Sequence, residues 1–232
     1  QGMKQIFFFC GLYSLFVLIT LPMRNCASTL ESEITRLEMN SILNVLLKKK
    51  FVGTHLEIGT AAGGTLCQII SCYQKMGYIP PFMVIDPMKY FPFQFEKICK
   101  NLEDYSINPS SVEFIKCTSR EAYLKKHVEE TILDFILVDG SHKIRYVTQD
   151  LMWSNYLRTG GILCAHDYSP DYPGVYSSIN RFLDKNKNYK ILSQVDNLLI
   201  IEKNKPNQPG KLGVSFGDLF RATALAPLFQ LK

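Results

Sequence analysis

The 232-residue sequence has seven cysteines but no CxxC pair and no spacing of a zinc site. That excludes a structural zinc module. Cys10 and Cys26 lie near the amino terminus; Cys67, Cys72, Cys99, Cys117 and Cys164 lie further on. These last five are odd in number, so they cannot form a complete internal disulfide framework. Cys164, inside an apolar run, reads as a small core residue. A clustered basic face is also missing. The net charge is only +5, and the lysines scatter over positions 48–50, 125–126, 185, 187 and 190. Scattered lysines read as solvated helix faces, so no nucleic-acid partner is expected. No internal repeat is present, and 47% hydrophobic residues suffice for one well-buried domain rather than two.

One segment lacks charge altogether. Residues 6–21, IFFFCGLYSLFVLITL, sit between Lys4 and Arg24. The run is shorter than the roughly 20 residues of a membrane span and suits the core of a signal peptide. Cys26-Ala27-Ser28 offers small residues for cleavage. A cleaved signal, an uncleaved anchor and the buried start of a first helix all stay open, the last being least suited to an uninterrupted apolar run. The expected domains are 1–28 as signal or anchor, 29–203 as the catalytic unit and 204–232 as a tail without assigned role. The expected location is the secretory pathway or a membrane, or the cytoplasm if the segment is no targeting signal.

Beyond it, Ser28-Thr29-Leu30-Glu31 fits a capping box, and a helical pattern runs to Lys50. Strands are expected at 54–58, 82–85, 112–115, 133–138 and 162–165. Helices are expected at 64–76, within 92–102, and at 120–130, 146–158 and 175–186. The run 133–138, LDFILV, has the apolar character of a central parallel strand buried on both faces. Strands at 190–194 and 198–202, joined at Asp196-Asn197, form an antiparallel pair. The fold class is α/β, a Rossmann-like, doubly wound, mostly parallel seven-stranded sheet with an antiparallel last strand. Its ligand lies beyond the carboxyl ends of the strands. The tail carries an amphipathic helical pattern at 218–230.

Three motifs fall at those strand ends. In Glu57-Ile58-Gly59-Thr60-Ala61-Ala62-Gly63-Gly64-Thr65, Gly59 allows a tight turn, and Gly63 and Gly64 let backbone approach a ligand. A valine at Gly59 is expected to fill space the ligand needs. Glu57 precedes the glycines, where a carboxylate repels a pyrophosphate and suits a cation. Asp86 ends the second strand, where a nucleotide ribose is held by its hydroxyls. Asp139-Gly140-Ser141-His142 ends the fourth strand, and Ala165-His166-Asp167-Tyr168 the fifth. Neighbouring strands are about 4.8 Å apart, so the two acids converge. Their burial needs a cation or a shared proton, and a hard divalent ion such as Mg²⁺ would bridge them. His142, with an unperturbed pKa of about 6.5, suits a general base. Each motif alone also fits an ordinary strand-end turn. Lys143 and Arg145 read as exposed helix charges, with contact to an acidic substrate as the alternative.

Residues 54–203 resemble a class I methyltransferase, especially the methyltransferase-24 group with its D-G-x-H-x-Y and GG-x-x-x-x-HD patterns. Here Tyr146 stands two residues later than the pattern has its aromatic, while Gly160-Gly161 through His166-Asp167 match. The arrangement is also similar to metal-dependent catechol O-methyltransferases. The resemblance implies S-adenosylmethionine as cofactor, bound by Glu57, Gly59, Ala61, Gly63, Thr65, Asp86, Ser119, Arg120 and Asp139. It implies Asp139 and Asp167 as ligands of a possible Mg²⁺, with His142 at the position of the catalytic lysine. Tyr168 stands where the third metal ligand, an asparagine, is found. The implied reaction is O-methylation of a small-molecule or sugar hydroxyl. Two alternatives stay open. One is an NAD-dependent oxidoreductase on a related fold, and the other an inactive, membrane-tethered methyltransferase-like binding protein.

Overall fold

The computed structural model describes residues 32–125, 132–207 and 212–229. The apolar segment 6–21, the capping box at Ser28, Cys10 and Cys26 lie outside the described residues. The described helices include none long and apolar enough to cross a membrane.

The first helix, α1 (Arg36–Lys49), starts later than expected. Thr35, seven residues past Ser28, is the cap: its hydroxyl accepts from Glu38 N at 3.2 Å, and Glu38 returns the bond to Thr35 N at 2.8 Å. Two S/T-x-x-E patterns compete in the sequence, and the second starts the helix. Then follow β1 (Thr54–Ile58), α2 (Gly64–Lys75), β2 (Phe82–Ile85), α3 (Gln94–Asp104), β3 (Val112–Ile115) and α4 (Ser119–Leu124). The second half comprises β4 (Leu133–Val138), α5 (Ile144–Leu151), β5 (Leu157–Ala165), α6 (Pro173–Lys185), β6 (Tyr189–Val195), β7 (Leu198–Lys203) and α7 (Phe216–Leu225). The helix expected over 146–158 is shorter: α5 tightens into a 3₁₀ turn at Met152–Tyr156. Gly160-Gly161, expected to stop a helix, lies inside β5, which already pairs with β4 at Leu157.

The seven strands run in the order β3-β2-β1-β4-β5-β7-β6. All pairings are parallel except those of β7, which is antiparallel to both β5 and β6. Every residue of β4 is buried, and its side chains alternate between two cores. Ile136 and Val138 pack toward α5 and α6, and Phe135 and Leu137 toward α1 and α2. Between β1 and β4 the order of winding reverses, so a crevice opens above their carboxyl ends.

That crevice rests on one close crossing. Gly59 has φ +81°, and its N–H donates to the Ile85 carbonyl at 3.0 Å. A Cβ there would stand 2.3 Å from the Asp139 carbonyl oxygen and 2.7 Å from Gly140 Cα. Gly59 is therefore required by the backbone of the neighbouring turn, and the expectation that it keeps space for a ligand is corrected. Gly59→Val should lose about 2–5 kcal/mol of stability, from left-handed strain and overpacking together. Urea unfolding of the ligand-free protein measures it. Wild-type stability with lost ligand affinity would restore the discarded explanation.

Candidate active site

A cavity of about 620 Å³ lies over the ends of β1, β2 and β4. Of the sequence-predicted residues, Glu57, Gly59, Ala61, Thr65, Asp86, Ser119, Asp139 and His142 line it. Gly63 and Arg120 do not. Gly63 caps α2 at φ +80°, and a Cβ there would meet Ile98 Cγ2 of α3 at 3.2 Å, so its smallness serves helix packing. Arg120 follows Ser119 in α4, and about 100° per residue separates their directions. Asp167 is buried just behind the wall, on the far side of His142.

One end of the cavity is chemically incomplete. Glu57 is 5% exposed, and its Oε2 has no hydrogen-bond partner. Burial, then the charges of Asp139 and Asp86, push its pKa up to about 8. A buried carboxyl that borders a cavity without a partner is costly unless a ligand supplies one. An ammonium group would do so, whereas a pyrophosphate would be repelled. Asp86 stands on the adjacent strand end. Its two oxygens accept from Thr60 N at 3.1 Å and Met88 N at 2.6 Å, which fix the carboxylate at the wall. Ser119, Gln149 and Asp150 line the cavity as well. Burial raises the Asp150 carboxyl to about 7.

The other end is a cluster of imidazoles and carboxylates. His142 Nε2 lies 2.8 Å from Asp167 Oδ2, and the His142 ring packs edge-on against Tyr172 at 4.7 Å. The bond to Asp167 raises the pKa of His142. His166, buried at the end of β5, places Nδ1 3.0 Å from Asp139 Oδ1 and 3.4 Å from Asp167 Oδ2. Its Nε2 lies 3.3 Å from Glu38 Oε2, on α1. Burial opposes a charged ring at His166, but the Asp139 and Asp167 carboxylates outweigh it and push the pKa up to about 11. Burial likewise opposes ionisation of Asp167, and the two histidines outweigh it, holding the acid well below its usual range. Sequence reasoning gave His166 no role and missed Glu38. His166 stood in a quoted motif; nothing near Glu38 in sequence points to this site.

The residues do not fit a hard divalent ion. Mg²⁺ takes oxygen ligands in near-octahedral geometry. The atom between the two acids is an imidazole nitrogen, and no third oxygen replaces it. The Tyr168 hydroxyl is turned to α6, where it donates to Asn180 Oδ1 at 2.9 Å. Where a Mg²⁺ bridge between Asp139 and Asp167 was expected, the structure places the His166 ring nitrogen.

With this geometry in place, the relatives can be stated. Residues 56–168, close to half the chain, match the model of a family described as a methyltransferase domain. Those residues form a methyltransferase domain, and the seven-stranded sheet is the Rossmann-like methyltransferase fold. The chain's fold is similar to that of a caffeoyl-CoA O-methyltransferase candidate from Staphylococcus aureus. The two share 20% identity and a TM-score of 0.57, over 73% of this chain and 84% of the other. An O-methyltransferase from Bacillus cereus, in complex with SAH, aligns at 13% identity and TM-score 0.56, covering 74% and 83%. A TDP-rhamnose 3'-O-methyltransferase of calicheamicin biosynthesis aligns at 14% and 0.59, covering 74% and 82%. No curated protein matches the chain in sequence.

The imidazolium of His166 has a consequence for the stability of this methyltransferase domain. The folded pKa, about 11, lies above the ordinary histidine value of 6.5, so the fold favours the protonated ring. Its contribution is complete below pH 6.5 and is lost as pH rises through about 11. Melting temperature should therefore fall from pH 7 to 10.5 more steeply in the wild type than in His166→Gln. Parallel declines would contradict the charged ring.

Proposed function

We propose that the chain transfers the methyl group of S-adenosylmethionine to a hydroxyl of a small molecule or sugar. The observation that carries this reading is one cavity lined both by a buried carboxyl with an unpartnered oxygen, Glu57 Oε2, and by a carboxylate-oriented histidine, His142. The bound cofactor supplies an electrophilic methyl group that is already activated. The task left to the protein is alignment, deprotonation and exclusion of water.

Glu57 accepts the ammonium of the amino-acid end, which supplies the partner its buried oxygen lacks. Asp86 takes the ribose hydroxyls, its carboxylate held in place by Thr60 and Met88 amides. Ser119 lines the same cavity and is assigned to the adenine. His142 removes the acceptor proton. Its Nε2–H donates to Asp167, which leaves Nδ1 with the lone pair to take the hydroxyl proton. Asp167 orients that ring and stabilises the imidazolium that forms, as the acid of a catalytic triad does. Asp139 borders the cavity between cofactor and base, and its carboxylate is held by His166. The nicotinamide alternative loses ground here, because Glu57 stands where a pyrophosphate would pass.

Calorimetry and turnover together test the assignment. Glu57→Gln and Asp86→Ala should each weaken S-adenosylhomocysteine binding about 10- to 100-fold, the worth of a charge-assisted hydrogen bond. Methylthioadenosine, which lacks the amino-acid end, should feel Asp86→Ala but not Glu57→Gln. His142→Ala should leave cofactor affinity unchanged and lower turnover about 10²–10⁴-fold. The wild-type rate should rise with pH through a midpoint above 6.5, the direction in which Asp167 shifts His142, and Asp167→Asn should move that midpoint down. Activity surviving in both His142→Ala and Asp139→Ala would remove the chemistry from this end of β4.

A further inference from the structure

The catechol-type enzymes that the chain resembles place a divalent ion between two strand-end acids. We infer that in this chain the His166 ring occupies the place of that ion, with Glu38 as its rear counter-charge, so that no metal is bound between Asp139 and Asp167. The inference rests on the methyltransferase reading of the same site.

Three observations carry it. The first is position: Nδ1 of His166 lies between the two carboxylates, 3.0 Å from Asp139 Oδ1 and 3.4 Å from Asp167 Oδ2. Asp167 is buried and Asp139 half-buried; two acids this close are stabilised by a positive charge between them, and the ring supplies it. The second is the far side of the ring. Glu38, 1% exposed, faces Nε2 with Oε2 at 3.3 Å. It cannot swing aside, because Oε2 also accepts from Thr35 N and Oε1 accepts from Asn197 N at 2.9 Å. The ring hydrogen-bonds through Nδ1 to Asp139 and has carboxylate oxygens near both nitrogens, a setting that favours the cation. The third is the missing oxygen ligand: the Tyr168 hydroxyl is spent on Asn180, and the Tyr168 N–H donates to the Asn197 carbonyl at 2.7 Å.

The same three side chains present one nitrogen and two oxygens within 4.8 Å of one another. A borderline transition metal could use that set only by displacing the Nδ1 proton and sharing Asp167 Oδ2 with His142. The two arrangements make opposite predictions, since in one the ring excludes the ion and in the other it holds it.

The test is calorimetric titration of the chelator-treated full chain with Mg²⁺, Mn²⁺ and Zn²⁺, separately, with and without S-adenosylhomocysteine. The wild type should bind none of them at micromolar concentration. His166→Ala, which removes the ring and leaves both acids, should bind Mn²⁺ at least tenfold more tightly than the wild type. His166→Asn serves as a second variant if the first does not fold, with circular dichroism as the check. Micromolar binding of any of these ions by the wild type, weakened in the variants, would make His166 a ligand and overturn the inference. Variants that fold but bind Mn²⁺ no better than the wild type would also overturn it. The S-adenosylhomocysteine titration separates the two levels. Loss of that binding in the wild type would sink the methyltransferase reading, whatever the metal result.

Discussion

Three carboxylates, from Glu38, Asp139 and Asp167, converge on the single ring of His166. Glu38 and Asp167 are buried and Asp139 partly so, a grouping that a charged ring stabilises, and much of the active site follows from this arrangement. β4 and β5 must end side by side for Asp139 and Asp167 to meet, which the parallel pairing of Val138 with Ala165 provides. α1 is drawn to the sheet by Glu38, whose second oxygen also ties down the β6–β7 turn at Asn197. Asp167, neutralised from one side by His166, still offers Oδ2 to His142. The base is thus oriented by an acid that is itself fixed by a second histidine.

The cofactor end works by the opposite arrangement, with a buried carboxyl left short of a partner. Burial, then the charges of Asp139 and Asp86, raise the Glu57 carboxyl, and its Oε2 is unpartnered. A ligand ammonium gains there what the empty protein lacks. The crossing of the β1 and β4 turns at Gly59 brings the two ends within one cavity. A change at Gly59 is therefore felt first by the fold and only then by the ligand.

Much of this was legible in the sequence, for identifiable reasons. β1, β2, β3 and β4 fall at the residues their apolar runs mark, because buried parallel strands carry that signal locally. The glycine turn, Asp86, Asp139 and His142 were found because each ends such a strand. The boundaries that moved are those decided by competition or tertiary pairing. Thr35 and Glu38 supply the cap of α1 in place of Ser28, and Leu157 joins β5 because β4 offers it a partner at Leu133. Gly59 was recognised as a tight-turn residue, as its φ of +81° bears out, but the close approach of Asp139 to Gly59 and of Ile98 to Gly63 involves neighbours distant in sequence. The partnership of Glu38 with His166 spans 128 positions and leaves no local trace.

The charge state of His166 is the point on which this account turns, and nitrogen NMR of ring-labelled histidine reads it directly. At pH 8 the account predicts that His166 carries protons on both ring nitrogens, while His142 shows the titration of a base with a raised pKa. A bare nitrogen on His166 at that pH would contradict it, because the two strand-end acids would then lack the charge that holds them together.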